Sequence, residues 1–198
     1  MTFDNLIKRK EHLNSNNLDA IFESVAVDLM SNYCFKKNNE KYFFTEIEFY
    51  FWSPEFKDDF IHDKKGTTSQ CESNKIYHHY SGFDITFGKR FENYTERGGI
   101  LLRGLKNNQF EFICGPLKCS NEIFSGVTLG ENYSIRLTKE KSNPRIFKGP
   151  RYGLGQNGSL EWRSKKYRFI TDISNTNQKA SGKTKSDMEE VIYQTNSK

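Results

Sequence analysis

The chain has 198 residues, enough to bury a core in one domain without disulfide or metal staples. Only 35% of it is hydrophobic and its mean hydropathy is −0.80, yet aromatics reach 15%, with 17 Phe and 10 Tyr. So many rings exclude a disordered chain, and they suit strands or surfaces that stack on flat ligands.

Residues 18–34, LDAIFESVAVDLMSNYC, place Leu18, Ile21, Phe22, Val25, Val27 and Leu29 at helical spacing and predict an amphipathic helix. KKNNEK then makes a turn, and a strand rich in rings runs to about Trp52, where Pro54 ends it. Residues 53–75 are polar and charged and read as a long loop, a length that is often functional or disordered. KIYHHYSGFDITFG, GGILLRGL and QFEFICG follow as three strand-like segments separated by Gly or Asn turns, with a charged loop, KRFENYTER, between the first two. A short helix is expected within residues 117–128 and further strands over 133–137 and 165–173. The class is α+β: a single compact domain, residues 1–174, with a curved, mostly antiparallel sheet and a few peripheral helices. Residues 175–198 read as a polar, mobile tail.

Within the long aromatic strand two carboxylates interrupt the rings. Alternation puts Phe44, Glu46, Glu48 and Tyr50 on one face and Thr45, Ile47, Phe49 and Phe51 on the other. Such acids are either the exposed face of an edge strand or reactive groups at the wall of an aromatic pocket.

Charge is unevenly spread. The net charge is +5, but residues 1–138 hold 17 Lys and Arg against 19 Asp and Glu, whereas residues 139–198 hold 13 against 6. A basic last third suits either a solvated surface or an electrostatic footprint for phosphates. Cys34, Cys71, Cys114 and Cys119 show no CxxC pairing and no His at metal spacing, so reduced thiols and a cytoplasmic protein are expected. No apolar run has the length of a signal-peptide core or of a membrane span, which fits a soluble chain.

The segments also fall in a familiar order. Glu48-Phe49-Tyr50 is followed by His62, Tyr77-His78-His79-Tyr80-Ser81-Gly82, Leu101-Leu102-Arg103-Gly104-Leu105, Gly115-Pro116-Leu117-Lys118, Asn143-Pro144-Arg145-Ile146, and Glu161-Trp162 through Tyr167-Arg168-Phe169. Over most of residues 18–172 this collinear set resembles the alkyladenine, or 3-methyladenine, family of DNA glycosylases. The resemblance implies an N-glycosyl hydrolase without metal or other cofactor, acting as a monomer on damaged purines in double-stranded DNA. It implies Glu48 as general base and Arg103 as holder of the attacking water. Tyr50, His62 and Tyr77 would wall the base pocket, and Asp84, where the family usually has Asn, would face the base edge. Tyr80 would be the wedge that fills the gap in the duplex, while Lys118, Arg145 and Arg151 would contact DNA, with Lys148, Arg163, Lys165 and Lys166 adding phosphate contacts. His78 and His79 read as exposed. A binding module of the same fold without catalysis, or a hydrolase of another modified nucleoside, would fit the same pattern.

Overall fold

A computed structural model describes residues 13, 17–62, 69–126, 135–156, 158–171 and 188–193. In chain order the elements are α1 (Leu18–Asn32), β1 (Tyr33–Lys37), β2 (Glu40–Trp52), β3 (Ser73–His79), β4 (Gly82–Phe87), β5 (Lys89–Arg90), β6 (Thr95–Asn107), β7 (Phe112–Cys114), α2 (Pro116–Phe124), β8 (Ile135–Lys139), β9 (Ile146–Gly149), α3 (Leu160–Ser164), β10 (Arg168–Thr171) and β11 (Glu189–Glu190). Among the described residues the strands form one mixed-length antiparallel sheet along the path β11-β9-β10-β2-β6-β4-β3, with β1, β5 and β7 paired onto β2 or β6 and β8 onto β1. The path is open, since β11 and β3 do not pair. The fold is therefore α+β with most of its structure in the sheet, as the aromatic strand patterns predict.

The two 13-residue strands β2 and β6 lie side by side at the centre, and the core sits against one of their faces. Ile47, Phe49 and Phe51 of β2, Ile85 and Phe87 of β4 and Ile100 and Leu102 of β6 meet the buried side of α1. Phe22 of α1 stacks on Phe49 with centroids 4.6 Å apart and meets Phe51 and Phe87 edge-on at 6.3 and 5.8 Å. Aromatic contacts of this kind add about 0.5–1.5 kcal/mol each beyond the area they bury. The other face carries a smaller cluster of Tyr50, Ile61 and Leu101, packed by Trp52, Phe60 and Leu154.

Several elements differ from their sequence expectations for local reasons. The helix stops at Asn32 because Tyr33 is already extended, with φ −137° and ψ 155°, and the aromatic and β-forming run 33–35 enters β1. KIYHHYSGFDITFG is two strands rather than one, since the chain reverses at Tyr80-Ser81 and β3 pairs with β4. The charged segment KRFENYTER is itself a hairpin joining β5 to β6. In the sequence assigned to a mobile tail, residues 188–193 dock: β11 pairs with β9, Val191 joins the core, and the Tyr193 hydroxyl donates to the Pro144 carbonyl oxygen. The rest of that segment, 175–187 and 194–198, lies outside the described residues.

The alternation within β2 also breaks. The β2–β6 register shifts between Phe44 and Glu46 and again between Glu46 and Ile47. Thr45 is the extra residue on one strand and Arg103 on the other, the arrangement of two offset bulges, which re-aim side chains. Phe44 consequently leaves the face of Glu46 and Glu48 and packs on Phe35 in the main core, 5.3 Å between centroids.

Candidate functional site

Beyond the bulges, cross-strand pairing lines up a row of side chains on the face away from α1. Tyr77 pairs with Asp84, Asp84 with Leu101, Leu101 with Glu48, and Glu48 with Arg168. Directly paired residues point to the same face, so one row spans β3, β4, β6, β2 and β10. Glu48 and Asp84 are two strands apart in it, a separation of about 9–10 Å between backbones.

Glu48 is wholly buried, and its surroundings are polar rather than aromatic. Its Oε2 accepts from the Tyr50 hydroxyl at 2.7 Å and from Arg103 Nη1 at 3.4 Å, and its Oε1 accepts from the Tyr152 backbone N–H at 2.7 Å. Glu46 shares the same cations: its Oε1 accepts from Arg103 Nε and from Arg168 Nε, each at 2.8 Å. The bulge that displaces Arg103 from the register sets its guanidinium between the two carboxylates. Tyr152 lies beside both arginines, with its ring 5.4 and 5.5 Å from the guanidinium carbons of Arg103 and Arg168. Burial opposes the charge of Arg103, but Glu48 and then Glu46 hold it above the usual guanidinium range. Burial, and then the charge of Glu48, push the Tyr50 phenol well above its ordinary value, so its hydroxyl stays a donor to Glu48. A carboxylate has about four lone-pair sites, of which these contacts take three. Arg168 Nη1 is buried with no acceptor among the described residues.

The other end of the row is the β3–β4 hairpin. Asp84 is buried, with Oδ2 accepting from Gln70 Nε2 at 2.7 Å and Oδ1 lying 3.3 Å from His79 Nε2. His79, expected to be exposed, turns its ring inward with its side chain 4% exposed. It stacks on His62 at 4.3 Å between centroids, lies 5.8 Å from the Tyr77 ring, and meets Tyr80 edge-on at 6.4 Å. Desolvation of the stacked His62 ring, followed by the charge of His79, lowers the His62 pKa from its ordinary imidazole value. Tyr80 is 87% exposed at the hairpin tip. Thus His62, Tyr77 and Asp84 do come together, but the space beside Asp84 is taken by the protein's own imidazole.

The expected DNA contacts separate. Lys118 is exposed on α2. Arg145 is exposed but forks onto Glu190, with Nε and Nη2 donating at 2.9 and 2.7 Å. Arg151 is turned inward, which corrects its expected surface role: its side chain and that of Asp58 are fully buried in an ion pair at 2.5 and 3.0 Å. It also donates to the carbonyl oxygens of Phe49 and Trp162 and lies 4.6 Å over the Tyr50 ring. Two more basic residues are neutralised, Lys148 by Glu23 and Glu189 and Lys166 by Glu189.

Sequence reasoning did not single out Asp58, Gln70, Tyr152 or Arg168 as site residues. Asp58 sits in a charged loop and Gln70 in a polar one, where nothing local marks burial. Arg168 follows Tyr167 on a short strand whose pairing with β2 is long-range, and only the register places it against Glu46 and Glu48. Among the described residues no group of three His, Cys, Asp or Glu side chains is placed to hold a metal ion. No helix among them is long and apolar enough to cross a membrane.

No protein-family model matches the chain. It is similar to an uncharacterized protein of Acanthamoeba polyphaga mimivirus, with 27% identity over 183 residues covering 72% of this chain and 82% of the viral protein.

Proposed function

We propose that the protein is a DNA glycosylase that hydrolyses the N-glycosidic bond of damaged purines, with Glu48 activating the attacking water. The observation that carries this reading is the buried Glu48 carboxylate held by Arg103 and Tyr50, with one lone-pair site unused and the Arg168 Nη1 donor unpaired among the described residues. A water in that corner would accept from Arg168 and be deprotonated by Glu48 as the sugar gains oxocarbenium character, and the carboxylate would stabilise the cation. Tyr77, His62 and Asp84 supply ring faces and an acceptor for a flipped base, and the exposed Tyr80 is placed to fill the vacated stack. Stacking on such faces contributes about 1–3 kcal/mol per base, against an unstacking cost of a few kcal/mol. For the base to lie there, His79 must swing out of the slot.

A second reading, hydrolysis of a free modified nucleoside by the same carboxylate, is favoured by the neutralised cations. Arg145, Lys148, Arg151 and Lys166 are all engaged by carboxylates, which leaves less charge for a duplex backbone.

Single-turnover base release from duplexes carrying hypoxanthine, ethenoadenine or 3-methyladenine, and from the matching nucleosides, tests both readings. General-base help is worth about 10² to 10⁴ in rate, so Glu48→Gln should lower release by at least about 10²-fold. Release from nucleosides but not duplexes selects the second reading. No release from either substrate by the folded wild-type chain refutes both.

A further inference from the structure

The β3–β4 hairpin holds a hydrogen-bonded chain in which the glycosidic reading uses Asp84 only as an acceptor and gives Ser81 and His79 no chemical role. Ser81 Oγ lies 2.8 Å from His79 Nδ1, His79 Nε2 lies 3.3 Å from Asp84 Oδ1, and Asp84 Oδ2 accepts from Gln70 Nε2 at 2.7 Å. Asp84 as a carboxylate only accepts, so the ring proton belongs on Nε2. Nδ1 then presents its lone pair to Ser81, whose hydroxyl becomes the donor. The ring cannot rotate freely, because it stacks on His62 at 4.3 Å and its side chain is 4% exposed. A nucleophile within hydrogen-bond reach of a base, and a base oriented by a third group, are the requirements for activating a serine. Ser81 itself is only half-buried, in the turn beside the exposed Tyr80.

The surroundings of Ser81 add a second element. A Cβ placed on Gly82, the next residue, would come 2.8 Å from the Cβ of Pro116, so the first turn of α2 abuts the turn that carries Ser81. Pro116 brings no N–H to that turn and the Cys119 N–H donates to the Gly115 carbonyl oxygen, so the first-turn N–H groups that would favour negative charge are those of Leu117 and Lys118.

We propose that Ser81, His79 and Asp84 form a second reactive centre, with Ser81 as nucleophile in acyl transfer from small carboxylic esters. Ser81 Oγ bonds to the ester carbonyl carbon as its proton passes to His79 Nδ1. The carbonyl C–O bond to the leaving group breaks, and His79 returns the proton to the departing alkoxide. Water, deprotonated by the same His79 nitrogen, then releases the carboxylic acid and restores the Ser81 hydroxyl. Asp84 acts through His79 as a positioning residue. The proposal does not depend on Glu48.

The test treats the full chain with p-nitrophenyl acetate, following nitrophenolate release and mapping acetylated peptides by mass spectrometry. The expected result is an initial burst approaching one equivalent, with the acetyl group on Ser81. S81A should abolish the burst, and H79Q should slow acylation by at least about 10²-fold. A burst that persists in S81A, or acetylation of the wild-type chain only at other residues, overturns the proposal. Should S81A fail to fold, S81C decides: its new thiol should be alkylated by iodoacetamide at least ten times faster than the half-buried Cys114, and an equal or slower rate overturns the proposal.

Discussion

The Arg151–Asp58 pair offers the sharpest test of the buried electrostatics. Both side chains are fully buried, and Arg151 also satisfies the carbonyl oxygens of Phe49 and Trp162. Asp58 in turn accepts from the backbone N–H groups of Phe51 and Phe60 at 3.3 and 3.1 Å. The pair thus ties the loop after β2 to β2 itself and to α3. Burial works against the Arg151 charge, but its hydrogen bonds and attraction to Asp58 keep its pKa above the ordinary value. Asp58→Ala leaves that charge without its counterion and also removes the acceptor of two backbone N–H groups. Breaking one side of a buried pair costs about 3–5 kcal/mol. For a chain of this size each kcal/mol lowers the melting temperature by roughly 2–4 °C, so a drop of about 6–20 °C is expected. Thermal and urea unfolding followed by near-ultraviolet circular dichroism measure it. Replacing both partners, as Asp58→Leu with Arg151→Met, should recover only the part of the loss due to the unpaired charge, because the N–H groups of Phe51 and Phe60 and the carbonyl oxygens of Phe49 and Trp162 still lose these partners. A loss below about 1 kcal/mol for Asp58→Ala, the range of exposed pairs, would refute the assignment of a buried, structural Arg151.

Three further outcomes follow from the geometry. Gly99→Ala would bring a Cβ to 2.6 Å from Asp84 Oδ2 and 3.0 Å from Gln70 Nε2, so overpacking should cost about 1–3 kcal/mol in urea unfolding. The lowered pKa of His62 means that the folded chain binds its proton less readily than the unfolded chain. Stability from this group is therefore complete above the ordinary imidazole value of about 6.5 and falls as pH drops through it; His62→Asn should show a shallower loss between pH 8 and pH 5 than wild type. Val191 is buried beside β9, and burial of a valine side chain is worth about 1.5–3 kcal/mol, so Val191→Ser should release β11 and speed proteolysis after residue 171 relative to wild type.

Period and composition carry much of the fold. The helical spacing from Leu18 to Leu29, the aromatic run of β2 and the short apolar run in GGILLRGL specify α1 and the two central strands, because each depends on residues a few positions apart. Alternation separates Ile47, Phe49 and Phe51 from Glu46, Glu48 and Tyr50, but the pairing of β2 with β6 and the choice of core face come from the fold. Alternation within the same run marked Glu46, Glu48 and Tyr50, whereas Arg103, Tyr77 and Asp84 were candidates only through the family resemblance, and the hairpin that pairs Tyr77 with Asp84 came from the fold.

What the tertiary structure decided depends on register and burial, which no local window contains. The paired irregularities at Thr45 and Arg103 moved Phe44 into the core and set a guanidinium between Glu46 and Glu48. Arg168 reached those carboxylates through a strand more than a hundred residues away in sequence, and Arg151 proved to be an interior cation because Asp58 came to meet it. His79 turned inward because Asp84, Ser81 and the His62 ring together offered partners for both its nitrogens and its face. Sequence alone determined which residues could bear charge or stack; only the folded sheet determined which charges found a counterion and which remained available at the surface.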